Sequence, residues 1–249
     1  MSPRLEFAVG LAYEAGRSTL SLFGVSHDVE YKSDSSPVTL ADREAERLIR
    51  EALRKRYPED GILGEEEGES GPAANRWVVD PIDGTKSFIC GVPLYATLIS
   101  YEIDLQPVLA VSYFPALDRM IYAEKGCGAY CNGRRCHVSQ RQSLSGAVLC
   151  CGSHSSMEQR GFSKGLLKLA GQVTATRTWG DAFGHSLVAT GGAEAMIDPV
   201  VKRWDISSMQ LIVEEAGGRT TAFNGAENPQ VEAVSSNGLL HAQILSAFA

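Results

Sequence analysis

Residues 77–88 read WVVDPIDGTKSF: an apolar strand signal, Trp77-Val78-Val79, running into two aspartates, Asp80 and Asp83, around a proline. Pro81 removes a backbone donor and forces an extended lead-in. Asp83 then returns a second carboxylate to the rim that Asp80 occupies, and Gly84-Thr85 lets the chain turn into a following helix. Exposed amide groups at such a turn suit a phosphate, which is favoured at helix N-termini. Metal-binding carboxylates beside a phosphate nest point to phosphoryl chemistry.

Further acids gather at element boundaries: Glu65, Glu66 and Glu67 in ILGEEEGESG, Asp42 in a first helical turn, and Asp205 at a helix start in KRWDISS. Several carboxylates at the rims of strands and helices make a site for hard divalent cations, which prefer oxygen ligands and leave room for water and phosphate. Without a cation such a cluster repels itself. Taken singly, Asp42 and Asp205 also fit helix-start carboxylates favoured by the dipole, and Glu65 to Glu67 also fit a solvated loop.

The rest of the chain sets limits. Its 249 residues, 44% hydrophobic and 21% charged, are those of an ordinary globular protein, one compact unit or two closely joined halves. A net charge of −7 argues against a nucleic-acid surface, which needs clustered Lys and Arg, and favours small-molecule partners. No apolar run reaches the roughly 18 to 20 residues that cross a bilayer. Glu6 and Glu14 stand where a secretory signal would be apolar, so no membrane role and a cytoplasmic location are expected. The six cysteines read as free thiols. Cys127, Cys131, Cys136 and His137 match no common zinc spacing, and Asn132-Gly133 among them is a hairpin signal.

Leu5, Ala8, Leu11, Ala12 and Ala15 predict a first amphipathic helix ending near Gly24, followed by a polar loop, SHDVEYKSDSSP. Thr39 caps a second helix with Ala45, Leu48, Ile49, Ala52 and Leu53 as its apolar stripe and Pro58 after its end. Strands follow: WVVD, YATLISYEI, PVLAVSYF, RMIYAE and the hairpin GAYCNGRRCHVS. Residues 1–140 thus read as a helix pair on a mainly antiparallel sheet. From AVLCC onward short strands alternate with helices, one in SMEQRGFSKGLLKLAG, then DAFGHSLVATGG, DISSMQLIVEEAGG and LLHAQILSAF, so that 141–249 reads as an α/β half completing the site.

Gly64-Glu65-Glu66, the segment from Trp77 to Thr85, and Trp204-Asp205 with the downstream Glu214-Glu215-Ala216-Gly217-Gly218 resemble the signature segments of the inositol monophosphatase superfamily. The resemblance runs in order from Asp42 to Gly218. It implies an α+β or α/β fold, a layered α-β-α-β-α sandwich of the sugar-phosphatase type. It also implies two or three magnesium ions per site, lithium sensitivity, a homodimer and a small phosphorylated metabolite as substrate. By this resemblance Glu65, Asp80 and the Ile82 carbonyl hold a first ion, and Asp80, Asp83 and Asp205 a second. Glu65 also lies near a weaker third. Thr85, paired with Asp42, orients or deprotonates water, and the Gly84 and Thr85 amides take the phosphate. The implied chemistry is a two-metal scheme.

Two departures bear on which alcohol leaves. Lys86-Ser87-Phe88 follows the Gly-Thr pair, and Trp179-Gly180-Asp181-Ala182-Phe183-Gly184-His185 precedes a late helix. With Asp198 in AMIDP, these look most like the histidinol-phosphate phosphatase branch. Asp181 and Asp198 would favour a cationic amine and a titratable imidazole. Asp181 equally reads as a helix N-cap, and His185 as a packed histidine or a substrate contact. The alternatives are an inositol monophosphatase or a broad sugar-phosphate phosphatase such as a fructose-1,6-bisphosphatase. From a different class comes a silent metal-binding interaction protein, against which stands the retention of Glu65, Asp80, Asp83, Thr85 and Asp205.

Overall fold

The computed structural model describes residues 1–25, 30–31 and 37–249, and most of the polar loop SHDVEYKSDSSP lies outside the described residues. The first helix, α1 (Pro3–Thr19), opens on Ser2, whose hydroxyl accepts the Leu5 amide. It ends in a short 3-10 turn over Leu20–Leu22 before Gly24. Strands β1 (Glu30–Tyr31) and β2 (Pro37–Val38) pair antiparallel. Helix α2 (Leu40–Arg56) starts at Thr39 as expected, with Ala45, Ile49 and Leu53 buried along one stripe.

Among the described residues an eight-stranded sheet follows: β3 (Gly61–Gly64), β4 (Gly68–Ser70), β5 (Asn75–Asp83), then, after helix α3 (Thr85–Ile89), β6 (Ala96–Ile103), β7 (Gln106–Phe114), β8 (Arg119–Glu124), β9 (Gly128–Cys131) and β10 (Arg134–Arg135). Its spatial order is β10-β9-β8-β7-β6-β5-β3-β4, antiparallel except for the β3–β5 pair. Asn132 and Gly133 turn the last hairpin with φ of 46° and 78°, the left-handed pair that its tight turn demands. The segment read as an acidic loop, ILGEEEGESG, is itself a β3–β4 hairpin whose turn carries Glu65 to Glu67.

The second half builds β11 (Val148–Cys151), α4 (His154–Gln159), α5 (Ser163–Ala170), β12 (Ala175–Arg177), α6 (Asp181–Ala189), β13 (Ala195–Asp198), α7 (Arg203–Glu215), β14 (Arg219–Thr221), β15 (Ala233–Ser236) and α8 (His241–Leu245). Its sheet runs β12-β11-β13-β15-β14. The one helix expected in SMEQRGFSKGLLKLAG is two, because Gly161 takes φ of 77° between α4 and α5.

Side-chain alternation along the strands sorts the layers. On β6, Ile99 and Tyr101 join Trp77, α1 and α2 in one cluster, while Leu98 joins the α6–α7 layer on the opposite face. That layer also receives Cys150, Met196 and Ala233 from the second sheet. Their neighbours Leu149, Ile197 and Val234 pack outward with residues of α4, α5 and α8. The result is an α-β-α-β-α sandwich, and its two halves share the central helical layer. All six cysteines are free thiols. Among the described residues no helix is long and apolar enough to cross a membrane.

Candidate active site

Residues three apart on a regular strand point to opposite faces, so Asp80 and Asp83 need a backbone irregularity to meet. The β5–β6 ladder provides one: Asp80 pairs with Leu98 and Asp83 with Ala96, so three steps on β5 face two on β6. This bulge sits on Pro81-Ile82 and turns both carboxylates to one rim. It is braced by Thr97, whose hydroxyl donates to the Pro81 carbonyl at 2.9 Å. At the next step Gly84 takes φ of 80°, and a Cβ there would stand 3.1 Å from the Asp181 Oδ2 atom.

Each carboxylate of the cluster is anchored by a backbone amide. Asp80 Oδ1 accepts from Ile82 N at 3.0 Å, Asp83 Oδ2 from Ala182 N at 2.7 Å, and Asp205 Oδ2 from Lys202 N at 2.7 Å. Asp205 therefore caps the start of α7 and joins the acidic cluster at once. Oxygens of Asp80, Asp83 and Asp205 lie within 4.8 Å of one another, the one such metal-sized His, Cys, Asp or Glu group among the described residues. Glu65, Ile82, Gly84, Thr85, Lys86 and Asp181 line the same open cavity of about 230 Å³.

The electrostatics match a site made for cations. Burial, followed by the charges of Glu65, Asp83 and Asp205, pushes the Asp80 carboxyl well above its usual range. Asp83 is raised by burial and then by Asp181 and Asp205. Asp205 is half-buried yet also raised, chiefly by desolvation. Asp42 is pushed up to about 6 by burial, with Glu65 adding to the rise. A set of oxygen donors that repel one another is the chemistry of a hard divalent cation. A second observation agrees: Asp42 Oδ1 is buried without a hydrogen-bond partner, which folded proteins rarely tolerate.

One expected pairing differs, and His185 takes the packed one of its two readings. Thr85 does not meet Asp42 in the structure. Its hydroxyl donates to the Ile82 carbonyl at 3.1 Å, while Asp42 Oδ2 accepts from Thr39 N at 2.7 Å and Thr39 Oγ1 at 2.5 Å. Asp42 is thus held by the cap of α2. His185 faces the interior rather than the open cavity, with its Nδ1 2.8 Å from Ser235 Oγ and its Nε2 4.0 Å from Asp198. Burial lowers its pKa to about 3, so it is a neutral packed imidazole.

Behind the carboxylates an enclosed cavity of about 30 Å³ lies between Asp181, His185 and Asp198 and the Asp83–Asp205 pair, room for one water. Asp198 is raised well above its usual range by burial and then by Asp181 and Asp205. Asp181 is the first residue of α6 and takes φ of 55°, which its short polar side chain tolerates. It is not the N-cap of its helix: Gly180 holds that position, and the Asp83 carboxylate accepts the first free amide. Sequence reasoning passed over Glu46, a buried acid one turn beyond Asp42 that binds the amides of Glu66 and Glu67. Its only signal was a Glu-Arg pair four residues apart, Glu46 and Arg50.

With this geometry the chain matches the model of the inositol monophosphatase family over residues 1–249. It is 41% identical to a histidinol-phosphatase of Chlorobaculum parvum, covering 92% of this chain and 89% of the relative. It is 36% identical to an inositol-1-monophosphatase of Rhizobium meliloti, covering 92% and 88%. The solved structure of the extragenic suppressor protein suhB from Bartonella henselae superposes with a TM-score of 0.93 at 31% identity, over 99% of this chain and 98% of that one. The chain belongs to the inositol monophosphatase family, whose members are metal-dependent phosphoric monoester hydrolases.

Proposed function

We propose that this protein hydrolyses histidinol phosphate to histidinol and inorganic phosphate with magnesium. The observation that carries the reading is Asp181 on the lining of the cavity that Asp80, Asp83 and Asp205 share, with the buried Asp198 backing it from the small cavity behind. Carboxylates there answer a cationic amine and an imidazole, which a polyol does not carry. The similarity to histidinol-phosphatases supports the same choice.

In this reading Glu65, Asp80, Asp83, Asp205 and the Ile82 carbonyl hold the ions. Magnesium supplies positive charge for the phosphoryl oxygens and lowers the pKa of water. The Gly84 and Thr85 amides receive the phosphate. The Thr85 hydroxyl donates to Ile82 and keeps lone pairs to accept a hydrogen bond from the attacking water. Asp42, with its pKa about 6, suits proton acceptance near neutrality. Water oxygen bonds to phosphorus, the ester P–O bond breaks with its electron pair on the alcohol oxygen, and the proton lost by water balances the one the alcohol gains. Lithium is expected to inhibit by competing for the same oxygens.

The second reading keeps the machinery and changes the alcohol to inositol, and the similarity to an inositol-1-monophosphatase favours it. Comparing kcat/KM on histidinol phosphate, inositol 1-phosphate and fructose 1,6-bisphosphate decides between them. Preference for either of the latter two ends the histidinol assignment.

A further inference from the structure

Glu46 and Arg50 form an ion pair on α2 with side chains 0% and 1% exposed. Charges this deep cost much to desolvate, and apolar residues of similar volume are often as stable. What the pair holds is specific. Glu46 Oε2 accepts the Glu66 amide at 2.7 Å, and Oε1 accepts the Glu67 amide at 3.0 Å and Arg50 Nε at 2.8 Å. Arg50 reaches the far side of the same turn, donating through Nη1 to Ser70 Oγ at 3.2 Å and through Nη2 to the Gly68 carbonyl. Gly64 makes room for this approach, since a Cβ there would stand 2.2 Å from Glu46 Oε1.

Glu65 sits at the centre of the clamp. Its own amide donates to the Val79 carbonyl on β5 at 3.3 Å, and the next amide donates to Glu46. The peptide planes on both sides of its Cα are therefore held, and its side chain is delivered to the cavity that Asp80 and Asp205 line. Charge opposes that delivery, because Asp80, Asp83 and Asp205 already crowd the same cavity. We infer that Glu46, backed by Arg50, is a positioning residue that pins Glu65 against this repulsion, so that the cation site is assembled before a cation arrives. The inference rests on the reading above in which Glu65 holds a metal.

The probe is Mn²⁺, with free ion counted by electron paramagnetic resonance during titration and no substrate present. Amide exchange over residues 64–70 is followed in the metal-free protein. Glu46→Gln keeps the shape and removes the charge, while Arg50 retains the Glu67 carboxylate 3.5 Å away. Where that variant does not fold, Glu46→Gln combined with Arg50→Met removes both charges together. Glu194→Gln is the comparison. Glu194 is also buried, accepts the Val148 amide at 2.6 Å and pairs with Arg141, but it precedes β13, whose far end carries Asp198. The Glu46 variants should bind Mn²⁺ about 10- to 100-fold more weakly and exchange faster over 64–70, with Glu194→Gln unchanged in both. Wild-type Mn²⁺ affinity and exchange in the Glu46 variants would overturn the inference, as would an equal loss in Glu194→Gln. A wild-type protein that binds no Mn²⁺ refutes the metal reading itself and the inference with it.

Discussion

The Asp83 carboxylate accepts the Ala182 amide at 2.7 Å across 99 residues of sequence, so the end of β5 caps the helix α6 that carries Asp181 and His185. One side chain thereby ties the acidic cluster to the start of α6. Because the bond uses Oδ2, it ties that half of the carboxylate to the scaffold.

Asp83→Asn separates these two roles. Asparagine keeps an oxygen for Ala182 N but loses the charge that a cation needs, so phosphate release should fall by at least about a hundredfold. Burial and two neighbouring carboxylates raise Asp83, so the metal-free variant should melt no lower than the metal-free wild type. Differential scanning calorimetry in chelator, beside a phosphate assay, checks both. A variant that loses activity only because it unfolds would count against the separation.

Proton release gives a second prediction. Asp80, Asp83 and Asp205 have carboxyls raised above 3.8 in the metal-free fold, so at acid pH they hold protons that a cation must displace. Alone, such raised groups favour the fold below 3.8 and lose that contribution as pH rises through their folded values. Cation binding reverses the sign. The magnesium-induced rise in Tm should therefore be larger at about pH 8 than at about pH 5.5. An increment that is flat or larger at acid pH contradicts this cluster as the cation site.

His185 acts in the opposite sense. Its pKa falls from 6.5 to about 3 on burial, so its stabilising contribution is present above 6.5 and is lost as pH falls towards the folded value. Between about pH 7.5 and about pH 5 this amounts to about 2 kcal/mol. His185→Gln should lose that part of the acid sensitivity in urea titrations, whatever it costs at neutral pH through the Ser235 contact. Identical pH dependence in variant and wild type would show that His185 is not neutral and buried.

The leaving-group reading is tested by charge. Asp181→Asn tolerates the same left-handed φ, and Asp198→Asn keeps an acceptor for the Val200 amide. Asp181→Asn should lower kcat/KM on histidinol phosphate by about 10- to 100-fold, a charge-assisted hydrogen bond's worth, Asp198→Asn by less, and both should change inositol 1-phosphate little. Equal losses on both substrates would place these residues in the shared machinery instead.

Local patterns were legible in advance. Thr39 announced the start of α2 and Asn132-Gly133 announced the hairpin, because each works through its own backbone, while the bulge at Pro81-Ile82 went unread. The layer order followed from the family resemblance. What stayed hidden depends on contacts far apart in sequence. Nothing near His185 names Ser235 as its partner, and nothing near Glu65 reveals the Glu46 clamp. The helix break at Gly161 was a local signal outweighed by the apolar residues around it, since an isolated glycine costs a helix only about 1 kcal/mol.

The central claim is that the carboxylates around Asp80 hold a cation for phosphate-ester hydrolysis. Stripping the protein with chelator and assaying phosphate release from histidinol phosphate before and after adding magnesium tests it most directly. The expected result is no release from the stripped protein, full recovery with magnesium, and no recovery in Asp83→Asn at the same concentration. Release by the stripped protein at the magnesium-supplied rate, or none from wild type with magnesium on any of several phosphate esters, would contradict it.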